Sequence, residues 1–309
     1  MVESDGDLAR DLDSMATTKA KWVRFDFDWS ALESAPGAYN WASTDRVVQA
    51  ATARGLQIVA LVAYTPAWAR TGTTNKSAPR DPDRFASFVG AAAARYAPRG
   101  VTVWEIWNEP NSSKFWQPKP DPAGYTRLLK AAAAAARGAS SVVTVLSGGL
   151  SPAEDRADGS QISPETFLTG VYDAGGREFF DAVGMHPYSF PARPMDERSA
   201  KWNAFYNLPR LHDVMANHGD ADKHVWLTEF GAPTGGPADR AVSESEQSEF
   251  VREAYRAVDG WAWAGPLLWY SLRDAGSDRS DEEQNFGLVR HDFRPKAAYS
   301  TYQEVMDGK

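Results

Sequence analysis

Short apolar, β-branched runs alternate along this chain with stretches whose apolar residues recur every three or four positions. The runs cover residues 22–27, 57–62, 101–107, 142–146, 182–186, 225–229 and 266–270, and each is bounded by Gly, Pro or polar residues. Continuous apolar runs of this length are what buried parallel strands look like. Between them, residues 45–54, 83–96, 125–137 and 244–258 carry helical periodicity. The first of these stops at Gly55, the third at Gly138 and the fourth near Gly260, while the second ends before Pro98. Strict strand–helix alternation predicts a parallel sheet. Units of about 40 residues, repeated this often, favour a closed (β/α)8 TIM barrel in the α/β class over an open doubly wound sheet.

The count falls one strand short of eight. The chain opens with a polar segment and a helical pattern over residues 8–18, before which a first strand is due. That strand is therefore weak or missing at the N-terminus; the expectation is that residues before Leu8 supply it or that another segment fills the gap. Segments 151–163 and 192–202 read as long loops after strands, and no linker interrupts the chain, so residues 1–309 read as a single domain.

Composition narrows the possible partners. A net charge of -8 argues against nucleic acid, which needs clustered Lys and Arg. The absence of Cys excludes disulfides and Cys-based zinc sites, and five His without ligand spacing suggest no metal or other cofactor. No stretch is long and apolar enough for a membrane span, and the opening Met1-Val2-Glu3-Ser4-Asp5 lacks the basic and apolar runs of a signal peptide. The 12 Trp are an excess, and Trp29, Trp68, Trp116 and Trp202 each follow a strand. Aromatic faces outside a core form platforms for the C–H face of a sugar; the competing reading is plain core packing. Trp116 is the preferred platform of the four, because it closely follows the residues considered next.

In α/β barrels the chemistry sits at the C-terminal strand ends. One strand ends Glu105-Ile106-Trp107-Asn108-Glu109-Pro110 and another ends Thr228-Glu229-Phe230-Gly231, so each delivers a carboxylate to the mouth. Two carboxyls across a narrow barrel are what glycoside hydrolysis by the retaining route requires, one to protonate the leaving oxygen and one to attack the anomeric carbon. Arg24 and Glu105 share inward parity and read as an interior ion pair. Asp26 shares that parity, with its role open between a substrate hydroxyl and internal hydrogen bonding.

Trp107-Asn108-Glu109-Pro110 together with Thr228-Glu229-Phe230-Gly231 resembles the signature of clan GH-A, the retaining glycoside hydrolases that include cellulases, β-mannanases and β-xylosidases, families 5 and 39 especially. The resemblance runs from about Trp22 to Asp274. It implies cleavage of β-glycosidic bonds in an oligo- or polysaccharide by double displacement, with Glu109 as acid/base and Glu229 as nucleophile. It further implies that Asn108 bonds the sugar 2-hydroxyl, that Arg24 sits under the nucleophile, and that His186 and Tyr188 line the site, Tyr188 donating to Glu229. Trp269 would be the platform for the sugar being cleaved, though His186 and Trp269 also admit a core-packing role. The pattern of Trp22 to Trp41 and Gly55 to Trp68 is closer to a bacterial family-39-like branch, which hints at an exopolysaccharide or xyloside substrate, and the clan's habits imply an extracellular home. Transglycosylation on the same residues and a non-catalytic carbohydrate-binding barrel are the alternatives. A phosphate-using barrel would place a Gly-rich loop near Gly235-Gly236, but the basic partners are lacking.

Overall fold

The computed structural model describes residues 4–308. In chain order the elements are α1 (Asp5–Thr17), β1 (Trp22–Asp28), α2 (Trp29–Leu32), a small hairpin β2 (Glu33–Ala35) and β3 (Ala38–Tyr39), α3 (Ala42–Thr52), β4 (Gln57–Ala63) and α4 (Pro82–Tyr96). There follow β5 (Val103–Asn108), α5 (Pro122–Ala139), β6 (Thr144–Gly149), α6 (Pro164–Asp173), β7 (Ala182–Met185), α7 (Leu208–Asn217), β8 (His224–Phe230), α8 (Glu244–Asp259), β9 (Ala264–Trp269) and α9 (Ala297–Met306).

All seven expected strands form one parallel sheet in the order β1-β4-β5-β6-β7-β8-β9, curled with helices on its outer face in the manner of a (β/α)8 barrel. No helix among the described residues is long and apolar enough to cross a membrane.

The expected first strand is not where the sequence placed it. Ser4 caps α1 by accepting a hydrogen bond from the Asp7 amide, and Asp5 and Asp7 sit in the first helical turn. A Ser cap followed by acidic residues favours a helix start, since the cap satisfies a free N–H and the carboxylates meet the positive end of the helix. Residues 1–3 lie outside the described residues. Among the described residues no segment pairs with the outer edge of β1 or of β9, so the sheet is open along that side.

Two apolar layers hold the sheet. Inside, Val59, Val103, Leu146, Ala182 and Leu268 fill the floor of the barrel, with Trp22 edge-on to Trp226 at 5.1 Å. Outside, a continuous core lies between strands and helices. The alanines of α4 and α5 belong to it: Ala92, Ala93, Ala132, Ala133 and Ala136 are all buried, which lets the two helices pack closely. The strand expected at residues 142–146 is instead Thr144–Gly149, with Val142 62% exposed in the preceding turn. Its last residues, Ser147-Gly148-Gly149, are small because Cβ atoms on the two glycines would meet Trp107 O at 2.5 Å and His186 Nε2 at 2.1 Å.

Candidate active site

The C-terminal ends of β1, β5, β8 and β9, with the loop after β7, converge on one cleft, part of a cavity of about 1940 Å³. Register sets the charged position: Glu105 on β5 is paired with Leu61 and Leu146, two residues along the strand from Val103 of the apolar floor. Glu105 is fully buried and completely engaged. It accepts from Arg24 Nε at 2.5 Å, the Gly149 amide at 2.9 Å and Thr228 Oγ1 at 2.8 Å.

The expected Arg24–Glu105 pair is thus present, and it aims the rest of the guanidinium. Arg24 NH1 donates to Glu229 Oε1 at 2.5 Å and NH2 to Asn108 Oδ1 at 3.0 Å. The Tyr188 hydroxyl donates to the other Glu229 oxygen, Oε2, at 2.9 Å. His186 is fully buried, with Nδ1 3.0 Å from Glu109 Oε1 and 3.6 Å from Glu229 Oε2. Ligating atoms of Glu109, His186 and Glu229 all lie within 4.8 Å of one another. Such a trio has the donors for a divalent cation. Both Glu229 oxygens already accept from Arg24 and Tyr188, however, so the carboxylate is neutralised by the protein itself.

These contacts set the charges. Burial works against an ionised Glu229, but His186, Arg24 and the Tyr188 hydroxyl outweigh it, and the carboxyl stays below its ordinary range. Burial likewise opposes a charged His186, but attraction to Glu229 and its bond to Glu109 raise its pKa. The Asp26 carboxylate is solvent-accessible in the cleft and accepts no hydrogen bond from a described side chain. The surrounding walls thin its hydration, Glu229 and Asp28 repel its charge, and despite Arg24 its pKa is pushed up to about 6.

The backbone is strained here. Trp107 and Glu109 hold φ of 73° and 44°, and Tyr64, at the end of β4, holds 70°. Left-handed conformations in non-glycine residues cost about 1–3 kcal/mol each and persist only where the surroundings enforce them. The Glu109 amide is pinned by the Gly149 carbonyl at 2.9 Å and the Trp107 indole by the Phe115 carbonyl at 2.8 Å. Together they turn the Glu109 side chain into the mouth.

Of the aromatic residues singled out by sequence, Trp269 lines the cleft, and its indole nitrogen is buried without a protein acceptor. Trp202 also lines the cavity and is 49% exposed. Trp116 does not reach the cleft: it is buried edge-on between Trp107 and Tyr125, at 5.3 and 5.8 Å. Trp68 leans on Trp29 and donates its indole N–H to the Glu33 carbonyl, and Trp29 is fully buried. All three do core work, because the loops after β1, β4 and β5 fold back onto the helices. The neighbour of Trp116, Phe115, is the ring that faces the cavity instead.

Sequence reading passed over Tyr64, Lys76, Gly149, Tyr270 and Glu283. Lys76 Nζ sits 3.5 Å from the Tyr64 ring centre and 4.5 Å from that of Phe115. Gly149 carried a signal, a Gly-Gly pair closing a strand, and Tyr64 and Tyr270 directly follow β4 and β9, where barrel chemistry sits; Lys76 and Glu283 come from loops whose path the sequence does not disclose.

The chain superposes along 99% of its length on a family 39 glycoside hydrolase from Bacteroides cellulosilyticus WH2, with a TM-score of 0.80 and 24% identity, and covers 62% of that protein. It superposes along 98% on a monomeric β-xylosidase from Caulobacter crescentus CB15, with a TM-score of 0.75 and 18% identity, covering 65% of it. A third likeness is to an exo-β-1,4-mannosidase from an Opitutaceae bacterium, with a TM-score of 0.72 and 20% identity, over 98% of this chain and 55% of that one. The chain therefore spans less than two thirds of the length of each. None of the curated proteins matches it. The cellulase model, glycosyl hydrolase family 5, matches residues 4–265. That span takes in both mouth carboxylates and the sheet as far as the first two residues of β9, and the chain belongs to this family.

Proposed function

We propose that the protein is a retaining glycoside hydrolase that cleaves β-glycosidic bonds of an oligo- or polysaccharide, with Glu229 as nucleophile and Glu109 as general acid/base. The observation that carries this reading is the separation of the two carboxylates. Oxygens of Glu109 and Glu229 lie within 4.8 Å of each other. Retaining enzymes hold their carboxyls about 5–5.5 Å apart, whereas inverting ones leave about 6.5–9.5 Å for a water between them.

Glu229 attacks the anomeric carbon while Glu109 gives its proton to the departing glycosidic oxygen, leaving a glycosyl ester on Glu229. Glu109 then takes a proton from water, the resulting hydroxide attacks the same carbon, and Glu229 departs as carboxylate. Arg24 and Tyr188 keep Glu229 ionised and fix its orientation. Asn108 has its carbonyl oxygen committed to Arg24, which leaves its amide N–H groups for a sugar hydroxyl. Trp269 offers its face, and its orphaned N–H, to the sugar being cleaved. Both carboxylates stand, which favours chemistry over binding alone.

The test is hydrolysis of a panel of aryl β-xylosides, β-mannosides, β-glucosides and soluble polysaccharides. On the responding substrate Glu229→Ala should lose activity by about 10³-fold or more. Added azide should restore turnover and give a glycosyl azide of inverted configuration. Glu109→Ala should lose roughly 10²–10⁴-fold, least on substrates with good leaving groups. Full activity in Glu229→Ala would refute the assignment.

A further inference from the structure

Lys296 immediately precedes α9, and its side chain is buried. Its Nζ donates to Asp274 Oδ1 at 2.7 Å, Thr234 Oγ1 at 2.8 Å and the Asn285 carbonyl at 3.1 Å. Three acceptors engage all three ammonium protons. They come from the loop after β8 and from two points of the loop after β9. Asp274 Oδ1 accepts a second bond, from the Gly287 amide at 2.8 Å. One ammonium thus grips the chain on both sides of Phe286, at the carbonyl before it and, through Asp274, at the amide after it. Phe286 is buried, and its ring centre stands 5.9 Å from that of Tyr188, 5.5 Å from Phe190 and 5.3 Å from Tyr270. Tyr188 in turn donates to Glu229. Glu244 and Arg279 are the other charges that act on Lys296, and they do so in opposite directions. Apolar side chains of the same volume often serve stability as well as a buried ion pair does, so what this pair adds is orientation.

We propose that Lys296 is a positioning residue for the nucleophile: through Asp274 and Asn285 it fixes Phe286, and Phe286 holds the Tyr188 hydroxyl against Glu229. This rests on the reading of Glu229 as nucleophile. Glu229 is faced by Arg24 and Asp26 of β1, Glu109 after β5, His186 and Tyr188 after β7, and Tyr270 and Glu283 after β9. Of these, Tyr188 is the group that both bonds Glu229 and packs on Phe286. Without the ammonium, Asn285 and Gly287 lose their shared anchor, the Phe286 ring shifts and the Tyr188 bond lengthens. Glu229 then ionises less readily, because a hydrogen bond to the charged form is one of the contacts that lower a carboxyl pKa.

The test is a double-mutant cycle on the responding substrate, read as the acid limb of kcat/KM against pH. Lys296→Met should move that limb to higher pH, as Tyr188→Phe does, and lower kcat/KM at neutral pH by up to about tenfold. In a Tyr188→Phe background the same substitution should move the limb no further. Lys296→Met strands a buried carboxylate, so a second variant that also carries Asp274→Asn removes both charges and should show the same limb. A limb unmoved in both variants, with activity that follows only the folded fraction, would overturn the proposal. So would limb shifts that add when Tyr188→Phe and Lys296→Met are combined. The catalytic reading fails separately: full activity in Glu229→Ala refutes the nucleophile, whereas an inactive Glu229→Ala beside an unmoved limb in the Lys296 variants refutes the positioning alone.

Discussion

Glu229 is held by three partners that the chain collects from two places, β1 and the loop after β7, and each can be weighed singly. The Tyr188 hydroxyl contributes to keeping its carboxyl below the ordinary range. Tyr188→Phe should raise that pKa, so the acid limb of kcat/KM should move to higher pH, with a fall in kcat/KM of roughly tenfold at neutral pH. An unmoved acid limb would show that Arg24 and His186 suffice. Asp26 has the opposite sign. Its pKa rises from an ordinary value near 3.8 to about 6, so folding favours its protonated form. The stability this lends is complete below the unfolded value and is lost as pH rises through 6. Asp26→Asn should therefore unfold at a higher urea concentration than the parent at pH 7.5 and at the same concentration near pH 3, whatever it does to turnover. Equal midpoints at both pH values would mean that Asp26 carries no such strain.

The strand end is the element that builds the site. β6 ends in Gly148-Gly149, and the Gly149 amide and carbonyl hold Glu105 and Glu109 respectively. A Cβ at Gly149 would lie 2.1 Å from His186 Nε2 and 2.8 Å from Glu105 Oε1, both buried and pinned. Gly149→Ala should cost about 1–3 kcal/mol in thermal unfolding and lower kcat by displacing His186, while leaving far-ultraviolet circular dichroism unchanged. A variant as active and stable as the parent would mean that β6 moves freely, contrary to its pairing with β5 and β7. Element boundaries were less legible than their existence. The strand at residues 142–146 was read early because Val142 and Val143 are apolar, yet Val142 faces water and the strand runs on through small polar residues. α6, α7 and α9 were not marked at all, their short amphipathic patterns being hidden among loop residues.

At the scale of the molecule, α1 is tied back to the loop after β9. Arg273 makes a bidentate contact with Asp11 at 2.9 Å, and both Arg10 and Arg273 stack on Phe293, at 3.7 and 4.4 Å. These contacts brace the open side of the sheet from outside. Asp11→Ala should cost roughly 1–2 kcal/mol and speed amide exchange in α1 ahead of the rest of the molecule. Unchanged exchange in α1 would place its anchorage in its other contacts, buried Leu8 and Leu12, Asp13 with Arg54 and the Ser14 carbonyl with Tyr299.

The sequence by itself determined the class of fold and the two carboxylates, since both follow from local pattern. Apolar runs alternating with helical periods dictate a parallel sheet, and Asn108-Glu109-Pro110 and Thr228-Glu229-Phe230 close strands that the pattern already marks. Inward parity also made the Arg24–Glu105 pair readable. Tertiary structure alone decided which aromatic rings face the cleft, because whether Trp116 or Phe115 points inward depends on how a loop returns to the helices. It brought His186 and Tyr188 against Glu109 and Glu229 across separations of 77 and 41 residues, a contact that the resemblance implied and that no local pattern shows. It also decided that the outer edges of β1 and β9 stay unpaired among the described residues, which depends on the curl of the whole sheet and is written in no single segment.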